Sequence, residues 1–304
     1  MITNESSSLP EPVADNEVGF PDPTFNYQSP PIVSPDNPPW GVSKAVLTWI
    51  LSVAFLIFVP LVFVVPYAIY AAQTTRTLVM EVLKSDKNVL FVSILGVIPA
   101  HLLTLGVAWI VVTNWGRYPF WETVGFTWPR SRPHWMTTLL SVGLAVVLLV
   151  FGGIVTSRFG GAKTDLDLLI ESSYQARVAT AFLAAATGPF VEELVYRGVL
   201  YPAFQRVLGV GWAVAIVSIL FAGVHVLQYY NNLAVIGVIT VLSITLTLVR
   251  ARTGKLLPSF LIHLVFNGIQ SLVLVVQPFF EKADKIVPSK LPSYLVANIL
   301  RHLI

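Results

Sequence analysis

Residues 45–70 read AVLTWILSVAFLIFVPLVFVVPYAIY, with no Asp, Glu, Lys or Arg anywhere in the run. As a helix at ~1.5 Å per residue this stretch extends about 39 Å, enough to cross the ~30 Å hydrocarbon core of a bilayer. Charge-free runs recur along the chain, at 45–75, 88–116, 133–157, 207–249 and 256–280. They account for a composition that is 55% hydrophobic and only 12% charged over 304 residues, where an ordinary soluble domain runs near 25% charged. Open strands cannot cross lipid with their backbone groups unsatisfied, and nothing in these runs alternates with the period of two that barrel strands need. The fold class is therefore all-α: a polytopic transmembrane helix bundle of about seven to eight spans, integral to the membrane and multi-pass.

The spans are expected at Ala45–Tyr70, with Pro60 and Pro66 inside it, at Val89–Val112, containing Pro99 and His101, and at Met136–Thr156. Val178–Gln205 would reach about 42 Å, too long for one straight crossing, so a break is expected at Thr187-Gly188-Pro189 with a second helix starting from the proline. The long run 207–249 divides at Tyr229-Tyr230-Asn231-Asn232, which combines turn formers with interfacial aromatics. That gives Val210–Tyr229 and Leu233–Val249, and the last span is Leu256–Val276. Residues 1–44 hold nine prolines and almost no aliphatic run, a composition that cannot offset the entropy of ordering, and they read as a disordered tail. The organisation is thus tail 1–44, N-terminal transmembrane helices and loops 45–177, a helical core 178–277, and a C-terminal tail 278–304 in which Leu291–Ile304 forms an interfacial or eighth helix.

The same composition excludes several functions. Without cysteine there is no disulfide framework, iron–sulfur site or thiol nucleophile. The net charge is only +3, and the basic residues are scattered among loop ends rather than gathered into a block, so nucleic acid is not a partner. Lys and Arg counts on the two sides of the bundle are nearly equal and do not fix its orientation.

Ionisable groups at membrane depth are costly, and they usually line a cavity or pair with one another. Those present are Glu192, Glu193 and Arg197 on the fourth span, His225 on the fifth, His263 with Asn267 on the last, and His101 on the second. Glu193 and Arg197 are four apart, on one helix face, and can form an ion pair. Glu192 points about 100° away and has no partner on its own helix. Counted from the face that holds the 206–209 and 250–255 loops, Glu192 lies about 20 Å deep, His225 about 24 Å, Asn267 about 18 Å and His263 about 12 Å. A carboxylate and an imidazole can share a water and take its proton, while a second imidazole and an amide can donate to a developing oxyanion. This is equipment for amide hydrolysis without a covalent intermediate. His101, beside Pro99, reads as a hydrogen-bonded packing residue.

In order, Glu192-Glu193-Leu-Val-Tyr196-Arg197, Phe221-Ala-Gly-Val-His225 and His263-Leu-Val-Phe-Asn267 resemble the EExxxR, FxxxH and HxxxN/B motifs of the CPBP family. These are the CAAX proteases and bacteriocin-processing enzymes, also called Abi-type or type II CAAX prenyl endopeptidase-like intramembrane proteases. The resemblance covers about 178–277 and makes this the catalytic core. It implies a membrane-embedded glutamate-type or metallo-endopeptidase that hydrolyses a peptide bond in or near the bilayer. By this resemblance Glu192 is the water-activating base with His225 as its partner, His263 and Asn267 stabilise the oxyanion, and Glu193 and Arg197 hold the geometry. Tyr196 stands where many relatives have phenylalanine.

The cofactor is either none or a divalent metal such as zinc, which would draw on Glu192, His225 and His263. No HExxH is present, and Glu192 and Glu193 diverge on their helix. The expected partners are membrane lipid and a peptide or membrane-protein substrate. Two other readings stand beside this one: a catalytically silent immunity or scaffold protein of the same fold, and a proton-coupled carrier, which intramembrane Glu and His also permit.

Overall fold

In the computed structural model, residues 33–161 and 173–286 are described; most of the expected tail (1–32) and the Leu291–Ile304 helix lie outside them. Ten α-helices are found there: α1 Val42–Thr75, α2 Val79–Ser85, α3 Lys87–Thr113, α4 Phe120–Thr123, α5 His134–Phe159, α6 Tyr174–Phe182, α7 Gly188–Glu193, α8 Tyr201–Tyr229, α9 Leu233–Thr253 and α10 Leu256–Ile286. Among the described residues there is no strand, only an isolated bridge between Ser34 and Asn37. Six helical segments are long and apolar enough to cross a membrane, and the longest, Tyr174–Tyr229, runs from α6 through α8. The protein is a multi-pass integral membrane protein.

These helices invert the soluble pattern. The buried residues of α1 are mostly small or weakly polar, including Ala45, Thr48, Ser52, Ala68 and Ala72. Its Phe58, Val62 and Phe63 are exposed. Lipid tails are as apolar as Leu, so helices in a bilayer associate through close contact of small residues rather than by hiding large ones. The α1·α3 contact shows how close: a Cβ added at Gly96 would fall 2.6 Å from Pro60 Cα. Many hydroxyls inside the spans bond the preceding turn, as Thr104 Oγ1 does on Ala100 O at 3.0 Å and Thr247 Oγ1 on Ser243 O at 2.7 Å, although Thr180 Oγ1 and Ser218 Oγ are buried without a partner.

The expected break at Thr187-Gly188-Pro189 does not occur. The chain stays helical from Tyr174 onward, but two π-helical segments, Leu183–Thr187 and Leu194–Leu200, flank α7. Within the first, Gly188 N–H donates to Leu183 O, five residues back. In that register the next donor would be residue 189, and a proline there has no N–H to give. The carbonyl it would have served, Ala184 O, instead accepts from Asn267 Nδ2 at 3.1 Å. A widened turn and one side chain from α10 thus accommodate the proline without breaking the helix.

A real reversal comes later. Gly209 has φ 78° and ψ 170° inside the α8 run, a conformation essentially closed to residues with a Cβ. Beyond it the chain folds back, because the rings of Tyr196 and Phe221 meet at 5.0 Å, whereas a straight helix would hold them about 38 Å apart. The Tyr174–Tyr229 segment therefore makes two crossings. No atom lies within 4 Å of a Cβ built at Gly209, so Gly209→Ala is a test of backbone strain alone. It is expected to destabilise the protein by about 1–3 kcal/mol, read as a lowered melting temperature in detergent.

Residues 33–41 are held at the end of the α8–α9 pair. Trp40 is buried and its indole donates to Val199 O at 3.0 Å, while Arg206 donates to the carbonyls of Pro38 and Trp40, both at 2.9 Å. Arg250, fully buried, pairs with Asp36 at 2.7 Å and donates to Pro35 O at 2.8 Å.

Candidate active site

The two glutamates of α7 face different surroundings, as their offset of about 100° requires. Glu193 is completely buried. Its Oε1 accepts from Arg197 Nη1 at 2.7 Å and meets His263 Nδ1 at 3.0 Å. Ser259 stands beside this carboxylate, but its hydroxyl donates to Leu256 O at 2.9 Å, and Glu193 Oε2 is buried without a hydrogen bond. An ionised group so placed depends on its partners, since the cost of leaving water is met only where charge and hydrogen bonds compensate.

Arg197 is equally buried, and its donors are almost all engaged within the protein. Besides Glu193 it reaches Thr247 Oγ1 through Nε at 3.2 Å, and through Nη2 it reaches Ser243 Oγ at 2.7 Å and Ser243 O at 3.1 Å. Its guanidinium carbon lies 4.5 Å from the centre of the Phe221 ring, within cation–π range. The residue ties α7 to α8 and α9.

His263 connects the two glutamates. With Nδ1 on Glu193, its Nε2 lies 3.6 Å from Glu192 Oε2, too long for a direct hydrogen bond but close enough that both atoms front one space. Glu192 is about a third exposed (30%) and makes no hydrogen bond among the described residues. A Cβ at Gly188 would sit 3.9 Å from Glu192 Oε1, so this carboxylate lies back over the glycine. An alanine at 188 would meet it only in ordinary van der Waals contact; its tight neighbour would be Leu183 O, at 3.0 Å.

His225 and His263 flank the Phe221 ring, at centroid distances of 4.8 Å and 6.0 Å. His225 Nδ1 bonds Phe221 O at 2.8 Å; facing a carbonyl, that nitrogen must carry the proton, which leaves Nε2 as the free acceptor of a neutral ring. No hydrogen bond joins Glu192 and His225. Asn267 occupies the position of the missing Pro189 donor, one turn before Glu193 on the neighbouring helix, with one of its two amide hydrogens committed to Ala184 O.

Sequence spacing identified the Glu193–Arg197 pair and the helices that bring the other groups together. It missed Phe221 as the ring between the two imidazoles, Ser243 and Thr247 as anchors of Arg197, and Trp49, whose indole donates to the Tyr196 hydroxyl at 3.0 Å. These are contacts between helices, and only the Phe in the FxxxH spacing gave any hint of them. His101, expected to be a hydrogen-bonded packing residue, is 7% exposed and its Nδ1 meets Thr187 Oγ1 at 3.0 Å, next to Gly188. Beside it, α3 and α6 flank an open apolar cleft of about 470 Å³ lined by Phe91, Ile94, Ile98, Val178, Phe182 and Leu183, among others.

A metal would need its donors converging with open lone pairs. Among the described residues no group of three or more His, Cys, Asp or Glu is so gathered. Glu192, His225 and His263 do not form a metal set as they stand.

A buried carboxylate bonded to an imidazole, with a second carboxylate facing that imidazole's far nitrogen, defines a membrane protein whose core is built around acid–base groups. Residues 174–269 match the family described as type II CAAX prenyl endopeptidase Rce1-like; the chain carries a domain of this family, the CPBP/Abi group. The matched segment contains Glu192, Glu193, Arg197, His225, His263 and Asn267, and it leaves α1, α3 and α5 outside. No curated protein and no solved structure matches the chain.

Proposed function

We propose that the protein is an intramembrane endopeptidase that hydrolyses a peptide bond within or at the edge of the bilayer, using water rather than a covalent nucleophile. The observation that carries this reading is the line Glu193, His263, Glu192: one carboxylate sealed and charge-compensated, the other accessible and without a hydrogen-bond partner among the described residues. The accessible one, Glu192, is the base. It takes a proton from water while His225 Nε2 accepts a hydrogen bond from the same water, and the resulting hydroxide adds to the substrate carbonyl carbon.

Negative charge then develops on the carbonyl oxygen. Asn267 has a second amide hydrogen beyond the one on Ala184 O, and His263, held by Glu193 through Nδ1, presents Nε2; in the imidazolium form that nitrogen also carries a hydrogen. Donors fixed in advance are worth most in a water-poor site. As the C–N bond breaks, the proton held by Glu192 passes to the leaving nitrogen. Glu193 and Arg197 keep His263 and α7 in place. The apolar cleft between α3 and α6 supports a substrate with a large apolar portion, consistent with the family's name.

The test is a quenched-fluorescent peptide library presented to the purified protein in liposomes, with proton-linked uptake measured in parallel. Turnover is expected without uptake. Cleavage should persist, within about twofold, in excess 1,10-phenanthroline, because the donors do not converge on a metal position. Loss of activity that zinc restores would show that the donors rearrange around a metal. Silence with every peptide would favour a scaffold of the same fold, and proton-linked uptake would favour a carrier.

A further inference from the structure

We propose that His101 is a substrate-binding residue of this site, accepting a hydrogen bond from a peptide N–H of the bound substrate through Nε2. The inference rests on the endopeptidase reading above and adds to it a residue from α3, which the family match does not include.

The helices α3 and α6 run side by side, with His101 meeting Thr187 one turn past the end of the cleft, since Ile98 and Leu183 line it. Thr187 adjoins Gly188, over which the Glu192 carboxylate lies. The imidazole thus stands between the apolar cleft and the proposed base, where the main chain of a substrate would pass.

A hydroxyl can donate or accept, and the tautomer proposed is the one in which Thr187 Oγ1 accepts from His101 Nδ1. Nδ1 is engaged with Thr187 Oγ1, whereas Nε2 makes no hydrogen bond among the described residues. With the proton on Nδ1 and donated to the threonine, Nε2 presents a lone pair. An extended peptide has N–H groups that must be satisfied when it leaves water, and the lining of the cleft offers them almost nothing polar. A packing histidine would need only the Thr187 contact.

Two isosteric variants separate these roles. Asn places an amide nitrogen near the Nδ1 position and nothing at Nε2; Gln reaches the Nε2 position with its carbonyl oxygen but not Thr187. On a quenched peptide that the wild type cleaves, His101→Phe and His101→Asn are expected to raise KM about tenfold, the loss of one hydrogen bond to substrate, with kcat within twofold. His101→Gln should recover most of the wild-type KM. Melting temperatures of all three, measured in the same liposomes, show whether each is folded. If His101→Asn matches the wild type while His101→Gln does not, the residue serves only Thr187 and the proposal is wrong. A fall in kcat at unchanged KM also overturns it. Absence of any cleavage by the wild type defeats the endopeptidase reading itself, and this proposal with it.

Discussion

Arg197→Ala is expected to lose about 3–5 kcal/mol of stability, the usual cost of leaving one member of a buried ion pair without its partner. Both residues are fully buried and the pair is only 2.7 Å long, so no water is at hand to take the guanidinium's place. The Ser243 and Thr247 contacts go with it, loosening α7 from α9. The double variant Glu193→Gln with Arg197→Met should recover much of the loss. Met keeps the bulk of the stem, and Gln can still accept from His263 Nδ1, while replacing both members of a buried pair is often nearly neutral. Melting curves in one detergent check this. An unchanged melting temperature in Arg197→Ala, together with a raised KM only for peptides bearing a free C-terminal carboxylate, would mean that the arginine serves substrate instead.

Glu192→Gln is expected to lower kcat by about 10²–10⁴-fold, the usual contribution of a general base, with little change in melting temperature. The side chain keeps its shape and loses only its ability to take a proton. It makes no hydrogen bond among the described residues, so none of those is lost. Glu193→Gln should behave differently, weakening both the Arg197 pair and the anchor of His263, and so showing reduced stability along with reduced rate. If Glu192→Gln kept most of the activity while Glu193→Gln abolished it, water activation would belong to Glu193.

The membrane-spanning architecture was legible because charge-free runs have one explanation at these lengths: the crossing from Val42 to Thr75 contains the expected Ala45–Tyr70 nearly in register. What spacing could not distinguish was a broken helix from a widened one at Pro189. Both remove the same hydrogen bond, and the choice depends on Asn267, which is distant in sequence but positioned to serve Ala184 O. The site divides in the same way. Glu193 and Arg197 sit on one helix and follow from their spacing, even though a π-helical segment begins between them. That His263 bonds Glu193 while fronting Glu192 depends on the rotation of α10 against α7, which no periodicity encodes. The burial of His101 agrees with its sequence reading as a hydrogen-bonded packing residue, but that its partner is Thr187 comes from the register of α3 on α6, a tertiary property.

Cleavage in H₂¹⁸O tests the central claim most directly, because it follows the water. Full-length protein in liposomes would be incubated with the peptide library in labelled water, with the fragments and the intact protein weighed by mass spectrometry. Direct attack by a Glu192-activated water predicts complementary fragment pairs, one ¹⁸O in the newly formed carboxylate of each N-terminal fragment, no acyl adduct on the protein, and fragments from Glu192→Gln formed at least about 10²-fold more slowly. An acylated protein mass, or undiminished fragments from Glu192→Gln, would contradict the account.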